Sequence, residues 1–289
     1  MNADRRLHGK TALVTGASSG LGAEFARQLA ARGCHLILVA RREERLQLLG
    51  QELSAQHGIH VQVLAADLAA VDAGRTLYDR IGAAGLAVDV LVNNAGFGIY
   101  GGHAAIPWEQ EQRMLMLDIV TLMQLTKLAL ADMLKRNTGY ILQISSTGAY
   151  QPSPTYAAYG AAKSFVLNFG EALNYELRNT HVGCTVLSPG VTATEFLRVS
   201  GQTPTLYQRL FMMQSVEVVR IGLKAMLRRK PSVVAGRLNT LLAWSNRLLP
   251  RRWTAAATHR HGDEHRDLVH RGREDQGPQA QTTSGVDQG

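Results

Sequence analysis

Thr11-Ala12-Leu13-Val14-Thr15-Gly16-Ala17-Ser18-Ser19-Gly20-Leu21-Gly22 begins as an apolar, β-prone run and passes at once into a glycine-rich turn. Ala23-Glu24-Phe25-Ala26-Arg27-Gln28-Leu29-Ala30-Ala31 follows with helical periodicity and stops at Gly33. Strand, glycine turn and helix in direct succession is the context that gives a dinucleotide fingerprint its physical meaning. The glycines let backbone amides approach a pyrophosphate at a helix N-terminus, where the helix dipole favours anions. The spacing here is Gly-x-x-x-Gly-x-Gly, not Gly-x-Gly-x-x-Gly. Gly16, Ser18, Ser19, Gly20, Leu21 and Gly22 are accordingly expected to hold a dinucleotide cofactor.

Working outward, residues 35–40 read as a second strand, followed directly by Arg41 and Arg42. An acid at the end of this strand would bind a ribose 2′-hydroxyl, whereas arginine accommodates a 2′-phosphate. Two arginines and no acid favour NADP(H) over NAD(H). An amphipathic helix over 43–56 leads to a third strand, 61–65, which ends in Ala66-Asp67-Leu68. The fourth, 88–92, ends in Asn93-Asn94-Ala95-Gly96. A long helix over 109–135 precedes a fifth strand, 140–144, ending at Ser145-Ser146. A helix over 156–178 and a sixth strand, 182–187, come next, closed by the turn Ser188 to Thr194. A substrate lid is expected over about 190–214, then a helix over 215–229 and a short strand over 232–235. Strands alternating with helices at this spacing predict an α/β fold: one Rossmann-like, doubly wound domain over 1–258 with a mostly parallel seven-stranded sheet. Ligands in such sheets bind beyond the strands' carboxyl ends, where Gly16, Arg41, Asp67 and Asn93 fall.

Tyr156-Ala157-Ala158-Tyr159-Gly160-Ala161-Ala162-Lys163 places Tyr159 and Lys163 at i and i+4 among helix formers. That spacing puts both side chains on one helix face, a turn apart. An unperturbed phenol titrates near pH 10, and working near neutrality needs a shift of about three units, roughly 4 kcal/mol. One ammonium about 4 Å away, at an effective dielectric of about 20, supplies about that much.

Thr15-Gly16-x-x-x-Gly20-x-Gly22, Asn93-Asn94-Ala95-Gly96, Ser146, Tyr159-x-x-x-Lys163 and Pro189-Gly190 with Thr194 occur in this order. Over about residues 9–235 the chain resembles a short-chain dehydrogenase/reductase. The resemblance implies hydride transfer between a nicotinamide and a carbonyl or secondary alcohol. It makes Tyr159 the acid/base and Ser146, thirteen residues before it, the group that orients the carbonyl; Ser145 lacks that spacing. It gives Lys163 the nicotinamide ribose and a lowering of the Tyr159 pKa. Asp67 and Leu68 fall at the adenine end, Asn93, Ala95 and Gly96 along the cofactor, and Pro189, Gly190, Thr192 and Thr194 at the carboxamide. The family usually has asparagine eight residues before a threonine such as Thr126, helping to hold a water that feeds protons to the lysine; this chain has Asp118. Two other readings compete: a non-catalytic nucleotide sensor, in which Ser, Tyr or Lys would typically be lost, and a membrane-surface reductase of lipid-like substrates. Ile99, Tyr100, Tyr150, Tyr156, Phe196, Leu206, Phe211 and Met212 hint at a hydrophobic substrate.

The chain has 289 residues, 45% of them hydrophobic, with no unbroken apolar run of bilayer-spanning length. No apolar signal core follows its start, and Cys34 and Cys184 suggest no disulfide framework, so a cytoplasmic location is expected. A homodimer or homotetramer is the expected assembly. The formal net charge is +8, and no acidic residue falls between Val218 and Gly262. Basic residues without aromatic interleaving or a binding motif do not predict nucleic-acid binding. Arg237 to Arg252 is apolar and basic; its stripe is expected to bury against the domain or a second subunit in preference to an anionic membrane surface. Residues 259–289 read as a polar, disordered tail, and His259, His261, His265 and His270 within it predict no metal site.

Overall fold

The strands are almost wholly apolar because both faces of the sheet are covered, as a parallel sheet requires. The computed structural model describes residues 5–192 and 212–262. Seven strands, β1 (Thr11–Thr15), β2 (His35–Ala40), β3 (Val61–Ala65), β4 (Val90–Asn93), β5 (Gly139–Ile144), β6 (Val182–Ser188) and β7 (Ser232–Val234), form one sheet in the order β3-β2-β1-β4-β5-β6-β7. Every pairing is parallel. Nine α-helices are described: α1 (Gly20–Ala30), α2 (Glu43–His57), α3 (Ala73–Ala83), α4 (Trp108–Leu115), α5 (Leu122–Lys135), α6 (Ala157–Glu176), α7 (Ser215–Leu227), α8 (Arg237–Ser245) and α9 (Arg251–Gly262). On one face Val14, Leu38, Val92 and Leu142 bury against Phe25, Leu46 and Leu223 of α1, α2 and α7. On the other, Leu13, Ile37, Leu91 and Ile141 meet Leu77, Leu125 and Leu173 of α3, α5 and α6. Strand order reverses between β1 and β4, which opens the crevice at their carboxyl ends.

The expected 109–135 helix differs in its middle. Between α4 and α5, Met116–Thr121 form a π segment, and insertions of this kind accompany functional sites. The continuous helical run Trp108–Lys135 is long and apolar enough in composition to cross a bilayer. Leu122, Leu125, Ala129 and Met133 bury one side of it in the domain, while Val120, Met123 and Leu134 on the other side are exposed. The expected lid is described only at its edges: residues 193–211, with Thr194, Phe196, Leu206 and Phe211, lie outside the described residues. The expected tail also begins differently, since α9 carries the helix to Gly262. Helix-forming Ala255-Ala256-Ala257 after Pro250 accounts for that. Residues 263–289, His265 and His270 among them, lie outside the description.

The apolar stretch over 237–252 is two helices parted at Pro250, and it does not bury its stripe in the domain. Leu238, Leu241, Leu242, Trp244, Leu248 and Leu249 are all exposed. The side of α8 turned to the protein carries Asn239, whose amide donates to Ala235 O at 2.8 Å, and buried Ala243.

Candidate active site

The turn after β1 is locked to the end of β4 by polar contacts that neither strand makes alone. Thr15 Oγ1 accepts from the Asn94 and Ala95 amides, each at 3.0 Å, and the Asn94 side chain donates to Thr15 O at 2.9 Å. A Cβ on Gly22 would lie 2.2 Å from Gly16 O and 2.6 Å from Asn94 Nδ2. Only glycine lets α1 start this close to the turn. Ser19 precedes α1 in extended backbone and makes no side-chain cap. Instead Arg42 draws both serine hydroxyls to itself, its Nη2 donating to Ser18 Oγ at 3.0 Å and Ser19 Oγ at 2.6 Å. A helix N-terminus without a side-chain cap, beside an arginine at the strand switch point, fits a dinucleotide phosphate.

At the end of β3, Asp67 is held from two sides. Its Oδ1 accepts from the Ala69 amide at 3.1 Å and its Oδ2 from Arg113 at 2.7 Å. Partial burial would raise this carboxyl, but Arg113, the Ala69 amide and the field of Arg41 outweigh it and hold the group below its ordinary range. Arg113, on α4, carried no signal in the sequence, since its partner lies 46 positions away. Two expected cofactor residues, Asn93 and Leu68, have buried side chains. Asn93 is buried, and its amide donates to Thr126 Oγ1 at 2.9 Å and Gln143 Oε1 at 3.1 Å. Leu68 is a core side chain whose carbonyl accepts from Thr121. Asn93 closes β4 on the face that alternation turns to the core, and Leu68 packs into the core from the turn beyond β3.

Beyond β4 and β5 lies the reactive group. Ser146 leads into the 3-10 turn Thr147–Tyr150, and its hydroxyl accepts from the Gly148 amide at 3.1 Å. That hydroxyl also hydrogen-bonds the Tyr159 phenol. Lys163, one turn on, has its ammonium 5.6 Å from the Tyr159 ring centre and 3.3 Å from Ile144 O, to which it donates. Ser145 holds the helix carrying it, donating to Lys163 O at 2.7 Å. The π segment turns Asp118 inward until its Oδ2 meets Lys163 Nζ at 3.0 Å, with the carboxylate side chain 0% and the lysine side chain 6% exposed. Oδ1 accepts from the Phe97 amide at 3.1 Å. A Cβ on Gly96 would stand 2.9 Å from that oxygen and 3.1 Å from the ammonium, so the chain passes here only as glycine.

This ion pair alters the expected electrostatics. Burial raises the Asp118 carboxyl, opposed by Lys163 and the Phe97 amide. Burial first, and the Asp118 charge second, hold the Tyr159 phenol well above its ordinary value, with the Ser146 hydrogen bond pulling the other way. The expected lowering of the Tyr159 pKa is therefore not found, because burial and, after it, the Asp118 charge outweigh the Ser146 hydrogen bond. On the outer side of Tyr159 the rings of Tyr156 and Tyr100 continue a line of aromatics, with centroid separations of 5.8 and 5.4 Å. Pro189 O accepts from the Thr147 amide at 2.9 Å, and Thr192 Oγ1 donates to Gly190 O at 3.0 Å. The first ties the turn after β6 to the serine turn, and the second closes the turn after β6 on itself.

Parallel sheet, glycine turn at the switch point and a Ser–Tyr–Lys group define a nicotinamide-dependent oxidoreductase of the Rossmann type. Residues 10–204 match the short chain dehydrogenase family model, and the chain belongs to that family. It is 34% identical over 224 residues to 17-beta-hydroxysteroid dehydrogenase type 3 of Rattus norvegicus, covering 75% of this chain and 71% of the relative. It is 32% identical over 212 residues to very-long-chain 3-oxoacyl-CoA reductase of Anas platyrhynchos, covering 70% of this chain and 67% of the relative. Among solved structures, a short-chain dehydrogenase from Sphingobium yanoikuyae in complex with NADPH superposes with a TM-score of 0.74 at 29% identity, covering 95% of this chain and 98% of the other.

The buried pair generates a stability prediction. Asp118→Ala leaves the Lys163 ammonium buried without its counter-charge and should lower stability by about 3–5 kcal/mol. Asp118→Ala combined with Lys163→Met should recover a large part of that loss. Urea unfolding midpoints of the three proteins check it.

Proposed function

We propose that the protein is an NADP(H)-dependent oxidoreductase that interconverts a hydrophobic ketone and its secondary alcohol, with Tyr159 as the acid/base. The observation that carries this is the Ser146–Tyr159 hydrogen bond at the mouth of the crevice, with Lys163 beneath it. Gly16, Gly20, Leu21 and Gly22 with Ser18 and Ser19 would hold the pyrophosphate, and Arg41 and Arg42 the 2′-phosphate. Asp67 would meet the adenine, Ala95 and Gly96 the ribose side, and Pro189, Gly190, Thr192 and Thr194 the carboxamide. When bound, the nicotinamide supplies or accepts the hydride. Ser146 and Tyr159 donate hydrogen bonds to the carbonyl oxygen and stabilise the charge that develops there. A phenol held above its ordinary pKa keeps its proton at neutral pH, which suits donation to the nascent alkoxide. Lys163 would hold the ribose, and Asp118 fixes Lys163.

The names of the steroid and acyl-CoA relatives support a hydrophobic substrate, as does the Tyr100–Tyr156 aromatic wall. A non-catalytic sensor is disfavoured because Ser146, Tyr159 and Lys163 are all present. The buried, free thiols of Cys34 and Cys184 support a reducing, cytoplasmic setting. Exposed Val120, Met123 and Phe165 support assembly as a homodimer or homotetramer.

Tyr159→Phe should lower kcat by about 10²–10⁴-fold, the usual contribution of a proton-transfer group, and leave NADPH affinity near that of the parent. A screen of NADPH oxidation over ketones of increasing chain length, followed by fluorescence titration of the cofactor, tests both halves. Arg41→Ala should weaken NADPH binding about tenfold, about 1.4 kcal/mol, with little change for NADH. Equal affinity of the parent for the two cofactors would refute the 2′-phosphate assignment. Asp118→Asn removes a negative charge that raises the Tyr159 pKa. In the oxidation direction, where the phenol must first lose its proton, the acid limb of the rate profile should move toward lower pH. The pH dependence of alcohol oxidation by parent and variant reads this out.

A further inference from the structure

The helix α8 is amphipathic in the reverse sense for a surface element of a globular domain. At 3.6 residues per turn, Trp244, Arg237, Leu241, Leu238 and Leu242 span an outward arc of about 160°. Leu241 is 62% and Trp244 59% exposed, and Leu248, in the turn that follows, 71%. Single exposed apolar residues are ordinary, but a contiguous set of this size marks an interaction surface. The side turned to the protein is small and polar, held by the Asn239 bond to Ala235 and by an Asn246–Gln151 hydrogen bond. Apolar exposure continues at Leu249 and at Trp253 on α9. Arg247, Arg251 and Arg252 are exposed beside it, and no acidic residue occurs from Val218 to Gly262. An interface between two copies at this face would bring these arginines close to their own images. An anionic bilayer takes both components at once, apolar side chains at the acyl boundary and arginines among the phosphates.

We propose that the outward face of α8 and the α8–α9 turn dock on an anionic phospholipid bilayer. The place in the fold adds a consequence. Gln151 follows the serine turn directly, and the Asn246–Gln151 bond joins the docking element to it. A Cβ on Gly190 would lie 2.4 Å from Asn239 Nδ2, so α8 also lies against the turn after β6. Docking therefore sets the crevice mouth beside the lipid. The entry of a lipid-phase substrate from that side rests on the function proposed above; the docking itself does not.

The test uses the full chain carrying Trp108→Phe. Of the three tryptophans, only Trp244 and Trp253 then remain to report. With vesicles of about one-third phosphatidylserine in phosphatidylcholine, emission should shift to the blue and the protein should co-sediment. Affinity should fall about tenfold or more on phosphatidylcholine alone, and fall again as salt rises. In the same background, Leu241→Ser with Leu248→Ser, and separately Arg251→Gln with Arg252→Gln, should each weaken binding about tenfold. Turnover of a water-soluble ketone, which follows the proposed chemistry without lipid, should be unchanged in both variants. No co-sedimentation of the Trp108→Phe chain with anionic vesicles would overturn the proposal. So would vesicle binding that ignores both pairs of substitutions, or a loss of self-association in the leucine variant with lipid binding unaltered. That last result would make the face a contact between copies.

Discussion

An ammonium buried to the extent of Lys163 is tolerated only with a counter-charge and hydrogen bonds, since desolvation alone costs several kcal/mol. Much of the site's architecture answers that demand. The π segment turns Asp118 onto the ammonium at 3.0 Å, and the end of β5 gives it Ile144 O. Ser145 holds the α6 backbone behind it, and the Phe97 amide holds the carboxylate. Gly96 is the gap through which the chain passes this cluster. Four segments distant in sequence are thereby held in one register, and the Ser146–Tyr159 pair takes its place from them.

The same pair shapes the chemistry. Burial first, and the Asp118 charge second, raise the Tyr159 pKa, so the phenol keeps its proton. Asp118 thus acts on both groups at once: it pairs with the Lys163 ammonium and its charge adds to the burial that keeps the Tyr159 proton in place.

Three polar networks surround the crevice, and each ties a strand end to a neighbour. Thr15 with Asn94 joins β1 to β4, Asn93 with Thr126 and Gln143 joins β4 to α5 and β5, and Arg42 with Ser18 and Ser19 joins β2 to the glycine turn. Only the first supplies backbone groups at strand ends with partners, Thr15 Oγ1 accepting from the Asn94 and Ala95 amides and the Asn94 side chain donating to Thr15 O; the other two join side chains. The outer surface of α8 follows the opposite logic, with Asn239 turned inward and Leu238, Leu241, Leu242 and Trp244 left outside. An element built that way completes itself against something other than its own domain.

The alternation of apolar runs and amphipathic stretches decided the sheet, its parallel sense and most strand limits, because a strand covered on both faces writes its burial directly into composition. β1, β2 and β3 occupy the residues their patterns predicted. Gly16, Gly22, Ser146, Tyr159 and Lys163 were legible because their spacing is local: a turn, a helix face, a strand end. The contacts between segments were not. Asp118 could be seen as a departure from the family pattern, but its burial against Lys163 depends on a π segment that no periodicity announces. Arg113 meets Asp67 across 46 positions, and Asn93 at the end of β4 and Leu68 in the turn beyond β3 both bury their side chains. Sequence alone made the stretch over 237–252 amphipathic; which side faced the protein was decided when Asn246 met Gln151 and Asn239 packed against the turn at Gly190. Periodicity records that a helix has two faces, and only the neighbours it meets in three dimensions choose between them.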